Sequence, residues 1–135
     1  SRAYVSAENG SAVYVIDAMR HATIGVIELE GELVRPMGIL AAPDGQAVYV
    51  STGRGKRVFI IDPATNKPTR SIEVGPRPWG MAVSPDGRTL YTANGPSNDV
   101  SIVDLASGTV TARIPVPWFG LLIEYSLHLA LRVSC

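Results

Sequence analysis

Aspartates recur at a fixed phase along this chain. Asp17, Asp62 and Asp104 each close a hydrophobic run, as Val15-Ile16-Asp17, Ile60-Ile61-Asp62 and Ile102-Val103-Asp104. Carboxylates brought together could ligate a hard cation or move protons. A carboxylate that recurs with its scaffold more simply serves the scaffold, because an aspartate ending a strand accepts hydrogen bonds from the backbone of the next turn. Asp44-Gly45 and Asp86-Gly87 are read the same way. The unrepeated acids Glu8, Glu32 and Asp99 are scattered.

Other chemistry has little to work with. His21 and His128 are the two histidines and stand far apart, with no ligand pair at metal spacing. Cys135 is the lone cysteine, so no internal disulfide forms, and no Cys-x-x-Cys-His offers covalent haem attachment. There is no Gly-x-Ser-x-Gly elbow. Gly53-Arg54-Gly55-Lys56 looks faintly like a phosphate cradle, but the residues that follow have no helical pattern, and a solvated hairpin is the better assignment. No catalytic residue, metal or cofactor is assigned.

One constellation remains: Arg35, Arg54, Lys56, Arg57, Arg77, Trp79 and Trp118. Whether these residues meet depends on the elements that carry them. Tyr4-Val5-Ser6, Tyr49-Val50-Ser51 and Tyr91-Thr92-Ala93 recur at intervals of 45 and 42 residues. That is the period of a four-stranded propeller blade. One full period runs from Pro36 to Gly75. It predicts strands at 37–41, 47–50, 58–62 and 69–74, with Pro43-Asp44-Gly45 and Pro63-Ala64-Thr65-Asn66 as turns. The next period predicts 79–83, 90–92, 100–104 and 111–116. Before Pro36 only three strands fit, at 2–6, 12–17 and 23–29, and they match the second, third and fourth strands of a blade.

The predicted fold is therefore all-β: about three four-stranded antiparallel propeller blades, permuted so that the first lacks its inner strand. Residues 117–123 resemble the first-strand segment at 78–83 and could complete that blade. The propeller segment spans 1–123. The tail 124–135 alternates apolar and polar residues like a strand but lacks the repeat's turns. Three blades are too few for a ring, which takes about 4–8. Either a second copy completes it or the chain is a fragment of a larger propeller; self-association through open blade edges, with a homodimer favoured, is expected.

This topology puts the loops between second and third strands on the same rim as the links between blades. Arg35, Arg54 and Arg77 fall on that rim, Trp79 and Trp118 near its mouth, and the aspartate turns at the opposite end. Such a mouth suits an anionic or planar small molecule, or a protein partner. Alternatively, the arginines are solvated or paired with Glu32 and Glu73, and the tryptophans pack between blades.

Composition narrows the classes. Hydrophobic residues make up 46% and charged residues 18% of the 135, which favours a folded core over disorder. Twelve basic residues balance twelve acidic ones, so no nucleic-acid partner is expected. No apolar stretch reaches the ~20 residues of a membrane span, and no charged-then-apolar signal peptide opens the chain, which begins within a repeat.

Tyr91-Thr92-Ala93-Asn94, Val100-Ser101-Ile102-Val103-Asp104 and Pro78-Trp79-Gly80-Met81-Ala82-Val83-Ser84-Pro85-Asp86-Gly87 together resemble the YVTN-family β-propeller repeat. The resemblance covers about residues 3 to 118. It implies a WD-repeat-like propeller fold, a binding role and a periplasmic, extracellular or cell-surface location. It implies no single reaction; some members accompany quinone-linked dehydrogenases, and a lactonase-like activity is the other enzymatic option.

Overall fold

A computed structural model describes residues 1–116. Trp118, the segment 117–123 and the tail 124–135 lie outside the described residues. Eleven strands run in chain order: β1 (Arg2–Ala7), β2 (Ala12–Asp17), β3 (Ala22–Glu28), β4 (Ile39–Ala41), β5 (Val48–Ser51), β6 (Arg57–Asp62), β7 (Lys67–Glu73), β8 (Pro78–Val83), β9 (Thr89–Asn94), β10 (Asp99–Asp104) and β11 (Thr109–Pro115). They form one three-stranded sheet, β1-β2-β3, and two four-stranded sheets, β4-β5-β6-β7 and β8-β9-β10-β11. Every pairing is antiparallel between sequence neighbours. These are propeller blades, and among the described residues the first has three strands, without an inner one, as expected.

Alternation along each strand explains the stacking. In the middle blade, Val48, Val50, Phe59 and Ile61 join Val13, Val15 and Ile27 of the first blade in one core cluster. Tyr49, Val58 and Ile60, one residue out of phase, join Leu90 and Val103 of the third blade in another. A period-2 strand sends successive side chains to opposite faces, so a strand buried on both faces reads as a continuous apolar run. The outer face of the first blade has no such neighbour among the described residues: Val5, Tyr14, Ile24 and Val26 are all exposed, Val26 by 53%.

Repeated details show how closely the copies match. Each third-to-fourth strand pair carries a bulge at the same place, after Val15, Ile60 and Ile102. A bulge sharpens local twist. His21, Asn66 and Gly108 occupy the left-handed region at one turn position, and Ser11, Lys56 and Asn98 do so at another. Serine hydroxyls tie blades together: Ser6 Oγ donates to Met37 O at 2.7 Å, and Ser51 Oγ to Trp79 O at 3.4 Å. Gly38 lies against Trp79 O so closely that a Cβ would come within 2.2 Å of it. The inner strand β4 is shorter than the expected 37–41. Met37 N binds Ser51 O, and Gly38 N turns instead to the Ser51 hydroxyl at 2.9 Å. Pro68 in β7 and Pro115 in β11 sit on outermost strands, where the missing N–H costs no ladder bond.

Candidate functional site

The repeated aspartates are committed to turns. Asp17 Oδ1 accepts from Met19 N at 2.8 Å and Arg20 N at 3.0 Å. Asp62 accepts from Ala64 N and the Thr65 hydroxyl, and Asp104 from Ser107 N at 2.8 Å. These hydrogen bonds, with the Ser107 side chain as the first cause for Asp104, favour the ionised form and hold all three carboxyls below their ordinary range. For Asp86 the first cause is the Ser84 hydroxyl, then Arg88 N. Asp44 accepts from Gln46 N at 2.9 Å. Among the described residues, no three His, Cys, Asp or Glu side chains are grouped as a metal would require. No described helix is long and apolar enough to cross a membrane.

The basic rim sits where hairpin phase puts it. The turn Gly53–Gly55 is a single 3-10 turn following β5. Gly53 packs on Met37 and lies 3.5 Å from Arg35 O, measured from an added Cβ, and Gly55 lies 3.4 Å from Leu33 O in the same measure. Arg35 and Arg54 thus share the edge formed by that turn and the first interblade link. At the next junction Gly95 N donates to Arg77 O at 3.4 Å, so Arg77 occupies the corresponding edge.

The side chains do not all behave as free cations. Arg77 stacks over the Trp79 ring at 5.3 Å, a cation–π distance. It does so from the left-handed region, with φ +50. Trp79 is 37% exposed and sits at the bulge between Pro78 and Gly80. It therefore presents a rim surface as well as packing. Arg35 pairs with Glu8 at 3.8 Å, both about half exposed. Arg57 Nε donates to Ser71 Oγ at 2.9 Å. The expected pairing of arginines with Glu32 and Glu73 does not form among the described residues. The pairs that do form among the described residues are Arg20 with Asp17, Arg35 with Glu8 and Arg113 with Asp99.

Two residues that matter were overlooked: Glu30, and Glu32 as part of a site. The signal was the difference between intervals, 45 residues against 42. Leu29 N binds Ser11 O and Val74 N binds Lys56 O, which aligns Leu29 with Val74. Pro36 likewise aligns with Pro78, so Glu30-Gly31-Glu32 is an insertion in the first link. Gly31 takes φ +136 and Leu33 φ +54, and this bows the link outward. A hollow of about 460 Å³ opens beneath it, with Glu30, Glu32 and Leu33 on the link side and Arg54, Arg57 and Ser71 on the blade side. A second, of about 240 Å³, lies on the other side of the same link against Glu8, Ser11 and Arg35.

The second junction is built differently. Asn94, 2% exposed, donates through Nδ2 to Asp99 Oδ1 at 2.6 Å and Ser101 Oγ at 2.8 Å. Thr92 Oγ1 donates to Asn94 Oδ1 at 3.2 Å, and Gly75 N to Ser101 Oγ at 3.3 Å. Arg113 pairs with Asp99 at 3.8 Å. The buried side chains there are mutually satisfied, which is what burial of polar groups demands.

No family model matches the chain, and no curated protein matches it. Among solved structures it is similar to Kuenenia stuttgartiensis hydrazine synthase, at 26% identity and TM-score 0.77 over 84% of this chain and 32% of that one. It is also similar to the dihydro-heme d1 dehydrogenase NirN, solved in complex with DHE, at 24% identity and TM-score 0.66 over 83% of this chain and 24% of that one. Both are β-propeller proteins, and the chain spans about a third and a quarter of their lengths. The three antiparallel sheets are propeller blades.

Proposed function

We propose that this chain is a blade segment of the YVTN repeat type that works as a binding module and presents its basic rim to an anionic small molecule or protein partner. The supporting observation is an asymmetry between the two ends of the blades. Arg35, Arg54 and Arg77 share one rim with the exposed Trp79, while the repeat's carboxylates are spent on turns. Clustered cations beside an aromatic face attract anions that carry planar or apolar parts. A thermal-shift screen with pyrophosphate, citrate and aromatic carboxylates tests it. Stabilisation of the wild type that disappears in Arg35→Ala/Arg77→Ala is expected; equal shifts in both proteins abandon the rim.

The ring is completed by a second copy in this reading. The inner edge of β1 has no strand partner among the described residues, and Val5, Tyr14 and Val26 form an uncovered apolar face beside it. Light scattering at dilute concentration checks this, with twice the chain mass expected and a persistent single-chain mass against it. The exported or surface location follows only from the family resemblance.

A second reading comes from the similar structures, which carry the names of enzymes. On it the chain is the propeller portion of a larger enzyme or its accessory, with lactone hydrolysis or quinone-linked oxidation as the reactions to assay. Turnover by the isolated chain that survives Arg35→Ala/Arg77→Ala would favour this over the binding module.

A further inference from the structure

The hollow under the first interblade link carries unpaired charges of both signs on facing walls. Glu30 and Glu32 belong to the link, and Arg54 and Arg57 to the blade below it. No ion pair joins the two sets among the described residues. Arg57 is oriented by its Nε bond to Ser71, which leaves its outer guanidinium nitrogens without a protein acceptor among those residues. Leu33, 63% exposed, adds an apolar surface on the link side.

We propose that this hollow binds a zwitterion whose carboxylate and primary ammonium are separated by a short apolar spacer. The proposal rests on the binding-module reading and names the ligand class and the place on the rim. Guanidinium groups take a carboxylate through paired, charge-assisted hydrogen bonds, and carboxylates accept from an ammonium. A simple anion meets repulsion from Glu30 and Glu32, and a simple cation from Arg54 and Arg57, so selectivity comes from both walls together. No ion pair closes the hollow among the described residues, so a ligand with separated charges can engage both sets at once, with the exposed Leu33 beside its spacer. A volume of about 460 Å³ falls in the range of small-molecule sites.

The repeat provides an internal control. At the second junction, the positions matching Arg57 and Ser71 are Asp99 and Arg113, which pair with each other. The position matching Leu33 is Gly75, drawn in against Asn94 and Ser101. Charge there is closed upon itself. The first junction has no such ion pair across its hollow among the described residues, and its longer link adds two glutamates. A departure from the repeat that creates facing, unsatisfied charges is not explained by the needs of a blade.

Calorimetric titration of the full chain with ε-aminocaproate, caproate and hexylamine tests the proposal. Saturable binding of ε-aminocaproate is expected, with both singly charged compounds weaker by about tenfold or more. Glu30→Gln/Glu32→Gln and Arg54→Gln should each lower affinity for the zwitterion about tenfold. These side chains are exposed, and unchanged thermal melts would confirm that the variants fold. If caproate binds as well as ε-aminocaproate and only Arg54→Gln weakens it, the zwitterion site is overturned while the anionic rim stands. If no compound binds the wild type, this site is overturned, and the rim is then judged by its own screen on Arg35 and Arg77.

Discussion

The two interblade junctions of this chain are built on the same plan and finished differently. Below the rim they match: each is a dry apolar cluster made by one face of the middle blade and one face of a neighbour. At the rim they part. The second junction draws Gly75 in and seals itself with Asn94, Ser101, Asp99 and Arg113. The first carries three more residues, bows outward and leaves glutamates facing arginines across a hollow. Blade walls tolerate little variation because stacking depends on them, whereas the rim touches solvent and is where loops acquire specificity.

Truncating the walls should hurt both junctions alike. Ile61 serves the first and Leu90 the second, and neither has any exposed surface. Ile61→Ala and Leu90→Ala should each cost about 2–5 kcal/mol in chemical denaturation. A large loss at only one would mean that the junctions do not share one cooperative structure.

The rim substitutions should separate the junctions. Asn94→Ala removes the centre of the buried network and strands Ser101 and Thr92, at a cost of about 1–3 kcal/mol. Gly75→Ala should also destabilise, since its Cβ would come within 2.2 Å of Asn94 Nδ2. Part of that loss should return in Gly75→Ala/Asn94→Ala, where the nearest obstruction is gone and only the flexible Arg113 Nη1, at 2.8 Å, must give way, and simple additivity would contradict the packing described. At the matching position of the first junction, Leu33→Ala should change stability little, because that side chain stands in solvent.

Acid tests the opposite end of the blades. The turn aspartates Asp17, Asp62, Asp86 and Asp104 have folded pKa values below the unfolded value of about 3.9. Their contribution is present above that value and is lost as pH falls through the lower folded values. Melting temperature should therefore drop below about pH 4, and the drop should shrink in Asp62→Asn/Asp104→Asn. The smallest effect is expected from Glu8→Gln, which breaks an exposed ion pair with Arg35 worth about 0–1 kcal/mol.

Most of the architecture was legible because it is written three times. The repeated Tyr, Asp and Pro-Asp-Gly positions set strand order, and the run Val58-Phe59-Ile60-Ile61-Asp62 was expected as a third strand. The late start of β4 at Ile39 was not legible, since it depends on Gly38 N turning to the Ser51 hydroxyl. The rim was legible from hairpin phase for Arg35, Arg54 and Arg77. Their actual partners were not: Glu8 and Trp79 are set by loop conformation, including the left-handed Arg77. The hollow was not legible in what the copies share, because its cause is the three residues that one of them adds.

The prolines of β7 and β11 have a consequence for how such molecules meet. A perimeter strand bearing Pro68 or Pro115 offers newcomers an interrupted row of donors, so sideways recruitment there is discouraged. The hub-side margin of β1 contains no proline. On the proposed two-copy reading, association would be directed to that margin, toward a closed assembly and away from open-ended fibres.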